Sequence, residues 1–475
     1  MGNAEAEAQA FHHRARILEM LGRPADAVED IARAVDLIEM LRGLSVPEPS
    51  ARVAVFEDRQ GVYADGVRLL FGLGRLEEAL VMAERAKGRA ILDILESRAS
   101  GSPALLAAPA ATFATMKTAA REGRSTFVSY VFAGPLLLVF AIDQQGAVHA
   151  AESPIAPEEV RRLVEAARAS IAAGDAAADP LERLHAALIA PVEPWLPRDP
   201  EDVVTIVPHG PLFYLSFAAL RDARARPLVE SHALCYEPAI GLATLTRREQ
   251  RADQRTVLAI GNPLMPAIPG RDLPPLPAAE DEARDVAARF PRSQDSLLLG
   301  NRASERQVRR LATGRACLHF ATHAVLRDDE PLESLVILSA TTGESDATAD
   351  GLLTAEEILD LHLDADLVTL SACETGLGRV TGDGIIGLAR SFLGAGAASV
   401  VASLWSVADV STRFQMERFY SELGQGVPKA RALRHAQVAT IDALRQGAIR
   451  TPSGRVLPES PFFWAPFVLI GDPGR

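Results

Sequence analysis

Cys317-Leu318-His319-Phe320-Ala321-Thr322-His323-Ala324 and Leu367-Val368-Thr369-Leu370-Ser371-Ala372-Cys373-Glu374-Thr375-Gly376 decide how this 475-residue chain folds. In each, a short apolar run stops at a polar side chain followed by small or turn-forming residues. A strand buried on both faces of a parallel sheet reads this way, opening into a loop at its carboxyl end. Further strands are expected at Val128–Val131, Leu136–Ile142, Val203–Val207, Val257–Ile260, Leu335–Leu338 and Val400–Leu404. Between them, helical patterns cover Pro157–Ala172, Ala278–Arg289, Glu305–Leu311, Ala355–Leu359, Gly384–Leu393 and Ser411–Gly424. Strands alternating with helices imply an α/β fold, a mostly parallel sheet flanked by helices, with reactive residues outside the carboxyl ends of strands.

If the two quoted strands are neighbours, His323 and Cys373 meet at one edge of the sheet. A thiol is a weak nucleophile until a nearby base activates it, and a histidine titrates in the range to serve as base and then acid. The residues alone leave a second reading open. A cysteine at a strand end is often a small buried hydrophobe, and a lone histidine near a sheet is often only hydrogen-bonded structure.

The first hundred residues have a different texture. Leu18, Leu21, Val28, Ile31, Val35 and Ile38 recur at helical spacings. Leu21-Gly22-Arg23-Pro24-Ala25-Asp26-Ala27 is echoed by Leu73-Gly74-Arg75-Leu76-Glu77-Glu78-Ala79, a helix-ending glycine followed by a small residue that permits close packing. This is the texture of a tetratricopeptide helix-turn-helix, at a spacing of 52 residues rather than about 34, or of an amphipathic hairpin of no special family. Two such repeats are fewer than a solenoid needs, so they are expected to lean on the next domain or to belong to a longer array. The expected division is a helical region over 1–98, a linker over 99–120, and one large unit over 121–475, split into 121–250 and 251–475.

Composition excludes several classes. Hydrophobic residues make up 48% and charged residues 23%, ordinary values for a globular chain. A net charge of -13 argues against nucleic acid or an anionic membrane as partner. The three cysteines, Cys235, Cys317 and Cys373, form neither a disulfide framework nor a zinc site. The opening residues show no apolar signal region, and the most apolar window, Phe127–Ile142, is broken by Ser129, Gly134 and Pro135. A cytoplasmic, reducing location is expected. No metal-ligand cluster and no phosphate-binding glycine motif appears, so no cofactor is expected.

From about Phe127 to Gly471 the chain resembles the CHAT family, a caspase-like and separase-related domain commonly attached to tetratricopeptide repeats. The matching pieces run in order: Val207-Pro208-His209-Gly210, Ser216-Phe217-Ala218-Ala219-Leu220, Ile260-Gly261-Asn262-Pro263, His319 to His323, Gly351-Leu352-Leu353-Thr354, Leu370 to Gly376, Gly394-Ala395-Gly396, Leu404-Trp405 and Trp464-Ala465-Pro466-Phe467. A further match, Glu84-Arg85-Ala86-Lys87-Gly88-Arg89-Ala90, lies upstream. The histidine-first order and the separation of about 50 residues also fit the caspase arrangement. The resemblance implies a central, mostly parallel sheet of about six strands and a cysteine endopeptidase in which His323 and Cys373 are the catalytic pair.

It implies finer roles too. The backbone N–H groups of Cys373 and Ala324 would hold the oxyanion, although caspases usually carry glycine where Ala324 stands. Asp409, after the Val400–Leu404 strand, is a candidate counter-ion for a basic residue at the cut; the alternative is a helix N-cap. Asp383 is a second candidate. His319 and Glu374 are read as residues that support the pair without reacting. His209, Cys235 and Cys317 are read as structural. The resemblance further implies control by the helical repeats through a regulatory protein or complex, a role in bacterial defence or programmed death, and a protein substrate such as a gasdermin-like pore former. The rival readings are a catalytically silent scaffold that binds proteins and a cysteine hydrolase acting on a non-peptide ester or amide.

Overall fold

The computed structural model describes residues 2–43, 60–96, 112–247, 256–268, 273–290, 295–327, 330–340, 349–371, 384–405, 407 and 409–474. Four helices open the chain: α1 (Gly2–Met20), α2 (Pro24–Gly43), α3 (Gln60–Gly72) and α4 (Leu76–Glu96). They form two hairpins with the same turn. Gly22 and Gly74 both adopt φ +73, a left-handed conformation that glycine reaches without steric cost. The following residue closes the last helical turn, Arg23 N–H onto the Leu18 carbonyl (2.9 Å) and Arg75 N–H onto Leu70 (3.0 Å). Ala27 and Ala79, the small residues expected to permit close packing, are both fully buried.

Within the stretch read as linker, residues 113–120 belong to α5 (Phe113–Gly123). Thr112 caps it: its hydroxyl accepts the Thr115 N–H, while the Thr115 hydroxyl accepts the Thr112 N–H. Residues 99–111 lie outside the described residues.

The α/β part holds one sheet of eleven strands among the described residues, in the order β3-β2-β1-β4-β5-β14-β13-β12-β8-β6-β7. The strands are β1 (Ser125–Ala133), β2 (Leu136–Ile142), β3 (Val148–Glu152), β4 (Val203–Val207), β5 (Ala233–Tyr236), β6 (Val257–Pro263), β7 (Leu297–Gly300), β8 (Cys317–Ala321), β12 (Leu367–Leu370), β13 (Ser399–Ser403) and β14 (Phe467–Gly471). A small antiparallel sheet of β9 (Ala324–Val325), β10 (Leu335–Ile337) and β11 (Leu352–Thr354) sits beside it. The expected six strands are therefore too few. The block β14 to β7 does contain six, and β5 pairs parallel to β14, which joins β1 to β5 onto the same sheet. Most pairings are parallel; β1–β2 and β2–β3 at one edge are antiparallel, and so are β13 and β14 within the sheet. The direction reverses there, so the carboxyl ends of β4 and β8 face opposite edges of the sheet.

Helices cover both faces. One face is buried by a single continuous core that takes Val128, Ile206, Leu318, Phe320, Val368 and Val400 from five strands. Helices α6 (Pro157–Ala172), α7 (Ala178–Leu188), α9 (Glu305–Ala312), α10 (Ala355–Leu359) and α11 (Gly384–Gly394) contribute to it, with α8 (Pro277–Ala288) left to the other side. The opposite face carries two separate cores. Over the β8–β14 half it is covered by α8, α12 (Asp409–Gly424) and α13 (Lys429–Arg445). Over the β1–β2 half, Phe127, Val131, Leu138 and Phe140 are buried against the helices that open the chain. The two hairpins thus supply a layer that the sheet lacks there. No helix among the described residues is long and apolar enough to cross a membrane.

Candidate active site

β8 and β12 are parallel neighbours, paired Leu367↔Cys317, Val368↔Leu318, Thr369↔His319 and Leu370↔Phe320. Their carboxyl ends therefore lie side by side, as the sequence requires for the two reactive residues to meet. After Ala321 the chain bends at Thr322 and is pinned to β10. The Thr322 hydroxyl donates to the Ile337 carbonyl (2.8 Å), and the Ile337 N–H donates to the His323 carbonyl (2.9 Å).

The His323 ring is buried, 7% exposed. Its Nε2 lies 2.9 Å from the Pro274 carbonyl oxygen, which can only accept, so Nε2 carries the proton. In the neutral ring Nδ1 is then the lone-pair nitrogen. It is buried and has no hydrogen-bond partner among the described residues. A buried basic nitrogen held in one tautomer and left unpaired is suited to take a proton from a nearby thiol. The Pro274 carbonyl fills the orienting place that an acid fills in other triads. Sequence reading missed it, and no signal could have shown it, because every residue carries a carbonyl.

Ala324, the proposed oxyanion residue, opens β9, the edge of the small sheet. The Ile337-to-His323 hydrogen bond makes Ala324–Val336 the non-hydrogen-bonded pair of the ladder. Its N–H therefore points away from β10. That orientation is the one an oxyanion donor needs.

His319 is fully buried but turns away from His323. Its Nδ1 is 3.0 Å from the Tyr420 hydroxyl, which donates to Thr369 Oγ1 (2.9 Å), and its Nε2 lies 3.1 Å from Glu282 Oε1. The Tyr420 hydrogen bonds tie β8 and β12 to α12, while Glu282 of α8 lies beside the ring without a hydrogen bond to it. The strand that carries His319 ends at Ala321, and the bend at Thr322 breaks the alternation of faces before His323.

Cys373, Glu374 and Asp383 lie outside the described residues. Asp409 is the first residue of α12; its side chain lies outside the described residues. The other two cysteines are described. Burial pushes the Cys317 thiol up to about 12, with the Asp366 carboxylate adding to the shift. Burial also raises Cys235 well above the usual thiol range, and its Sγ lies 3.0 Å from the Gly471 carbonyl. Neither thiol yields a thiolate at neutral pH. His209 lies at the opposite edge from His323. Its Nδ1 accepts the Phe132 N–H (3.0 Å), its ring stacks on Phe132, and burial with Lys87 nearby pushes it down to about 3. It is a neutral structural acceptor.

Residues 178–472 match the family model described as the CHAT domain. Over 341 residues, 62% of the chain, the sequence is 30% identical to tetratricopeptide repeat protein 28 of Mus musculus and equally to that of Homo sapiens. The match covers 13% of each of those proteins, so the chain spans about an eighth of the curated relatives' length. Among solved structures, the Saccharomyces cerevisiae separase–securin complex superposes with a TM-score of 0.53 at 9% identity, covering 94% of this chain and 37% of that one. At that identity the likeness speaks for the fold alone, a separase-like α/β arrangement with an all-helical region before it. The family match takes in both strands that carry the candidate pair, β8 and β12, and the chain belongs to the CHAT domain family.

Proposed function

We propose that the chain is a cysteine endopeptidase that cuts a specific protein through a His323–Cys373 dyad. The observation that carries this reading is the pairing of β8 with β12. All four pairs join residues 50 apart (367 with 317 through 370 with 320), and His323 and Cys373 are also 50 apart. The buried Nδ1 of His323, without a hydrogen-bond partner among the described residues, supports the same reading.

In the proposed mechanism Nδ1 takes the thiol proton and the Cys373 sulfur adds to the scissile carbonyl. The oxyanion is held by the Ala324 and Cys373 N–H groups. The imidazolium then gives its proton to the leaving amine, and water attacks the acyl-enzyme with His323 again as base. The Nε2–H keeps donating to the Pro274 carbonyl throughout, which keeps the ring from turning.

The division into a helical region over 1–98, a linker and a peptidase unit over 121–475 is part of this proposal. So are control through the repeats by a protein partner, and a bacterial defence role with a gasdermin-like substrate. Asp409 and Asp383 are the candidate acids for a basic residue at the cut. Peptide reporters carrying Arg, Lys, Asp or Leu before the cut test this directly. Arg and Lys reporters are expected to be hydrolysed at least about tenfold faster than Leu, as a charge-assisted contact allows. A strong preference for Asp removes both acids as candidates.

A further inference from the structure

Gly261-Asn262-Pro263 matched the family in sequence, and the proposed mechanism has given it no task. β6 runs beside β8, with Gly261 paired to Ala321, so Asn262 leaves its strand next to the bend that delivers His323. A Cβ on Gly261 would lie 2.6 Å from the Ala279 carbonyl oxygen, so glycine is what lets α8 approach. Asn262 sits at a register irregularity between β6 and β7 with φ +44, a left-handed conformation that asparagine tolerates better than most residues.

Its side chain then reaches across the base of the loop. Asn262 Oδ1 accepts the Leu276 N–H (2.8 Å). The segment it grips is Pro274-Pro275-Leu276-Pro277. Prolines carry no N–H, so Leu276 supplies the only backbone donor in that run by which it can be fixed. The fixed φ of Pro275 lies between the two, so holding Leu276 also restrains the Pro274 carbonyl two residues earlier. That carbonyl is the one that accepts the His323 Nε2 proton (2.9 Å). On the other side of the loop, the Leu264 N–H donates to Ser339 Oγ (2.7 Å), which itself donates to the Gly300 carbonyl (2.8 Å).

We propose that Asn262 is a positioning residue for the dyad: by holding the Pro274–Pro277 run it fixes the carbonyl that orients His323. The inference rests on the peptidase reading above. Asn262 reaches His323 through the Pro274–Pro277 run, so it is expected to act on the chemical step and not on binding.

The test is the rate at which iodoacetamide alkylates Cys373, read by mass spectrometry of the Cys373 peptide, since Cys235 and Cys317 are buried. Asn262→Gly keeps the left-handed backbone accessible and removes the acceptor. It is expected to alkylate about tenfold more slowly, a part of the 10²–10⁴ that a general base supplies. Asn262→Asp keeps the acceptor oxygen but loses the Nδ2 donor that faces Glu280 Oε2 (3.4 Å), so a partial return toward the parent rate is expected, above that of Asn262→Gly. Thermal denaturation of each variant checks that it is folded. If Asn262→Gly alkylates at the parent rate while His323→Ala is slowed, the positioning role is wrong and the dyad stands. If His323→Ala is also unaffected, the dyad reading fails and the inference falls with it.

Discussion

Replacing His323 by alanine is expected to lower hydrolysis of the best peptide reporter by about 10²–10⁴-fold while leaving the protein folded. The size follows from the arrangement. Nδ1 is buried with no hydrogen-bond partner among the described residues, and Nε2 is committed to the Pro274 carbonyl at 2.9 Å, so one ring supplies all the proton transfer in the proposed cycle. The structural cost is small. His323→Ala leaves one carbonyl without its donor, worth about 1–3 kcal/mol. The backbone hydrogen bonds that pin residues 322–323 to β10 involve no imidazole atom and survive. Initial rates with the reporter, beside a thermal melt, separate the two effects. A variant that melts near the parent and turns over at the parent rate would remove His323 from the mechanism.

The largest expected loss of stability lies far from the dyad, where α4 meets the sheet. Glu84 is fully buried. Its carboxylate accepts the Ile240 N–H (2.5 Å) at the start of a short helical turn and lies near Ser129 Oγ (3.4 Å). Lys87, one turn along, donates to the same Ser129 oxygen (2.8 Å) and to the Val207 carbonyl (3.2 Å). Burial pushes Lys87 down to about 8, and burial raises Glu84 from its usual value, so each charge is tolerated because of the other. Glu84→Ala is expected to destabilise by about 3–5 kcal/mol, because it strands an ammonium under α4 and uncaps Ile240. Glu84→Gln keeps an acceptor for the Ile240 N–H and is expected to cost less. The double change Glu84→Leu with Lys87→Met removes both charges and is expected to recover most of the loss. Denaturant melts of the four proteins check the order. A double variant as unstable as Glu84→Ala would show that burial of charge is not the cause.

The sequence made β8 and β12 legible, and with them the parallel sheet, because both are apolar runs that end abruptly. It underread the breadth of the sheet. β5 is four residues long, and β3 is partly exposed, so neither stands out as a run. β7 is likewise short, at four residues. α13 escaped because its buried face is built from Ala430, Ala432, Ala436, Gln437 and Thr440 as much as from Leu433 and Ile441, which blurs the 3.6-residue period. The repeat hairpins were legible from Gly22 and Gly74, each of which takes the left-handed turn expected of it. At the candidate site, His323 and the strand carrying it could be read, while its orienting partner could not. That partner is a backbone oxygen brought in by a loop some 50 residues earlier, and nothing in a side-chain pattern marks such an atom. For His319, strand alternation predicts faces only as far as the strand continues, and β8 ends at Ala321.

The most direct test of the central claim is covalent. An arginyl chloromethyl ketone peptide should add once to the parent protein, at Cys373, as read by intact mass and peptide mapping. Cys373→Ala should take up none, and His323→Ala should label far more slowly. Equal labelling of Cys373→Ala and the parent would contradict the account.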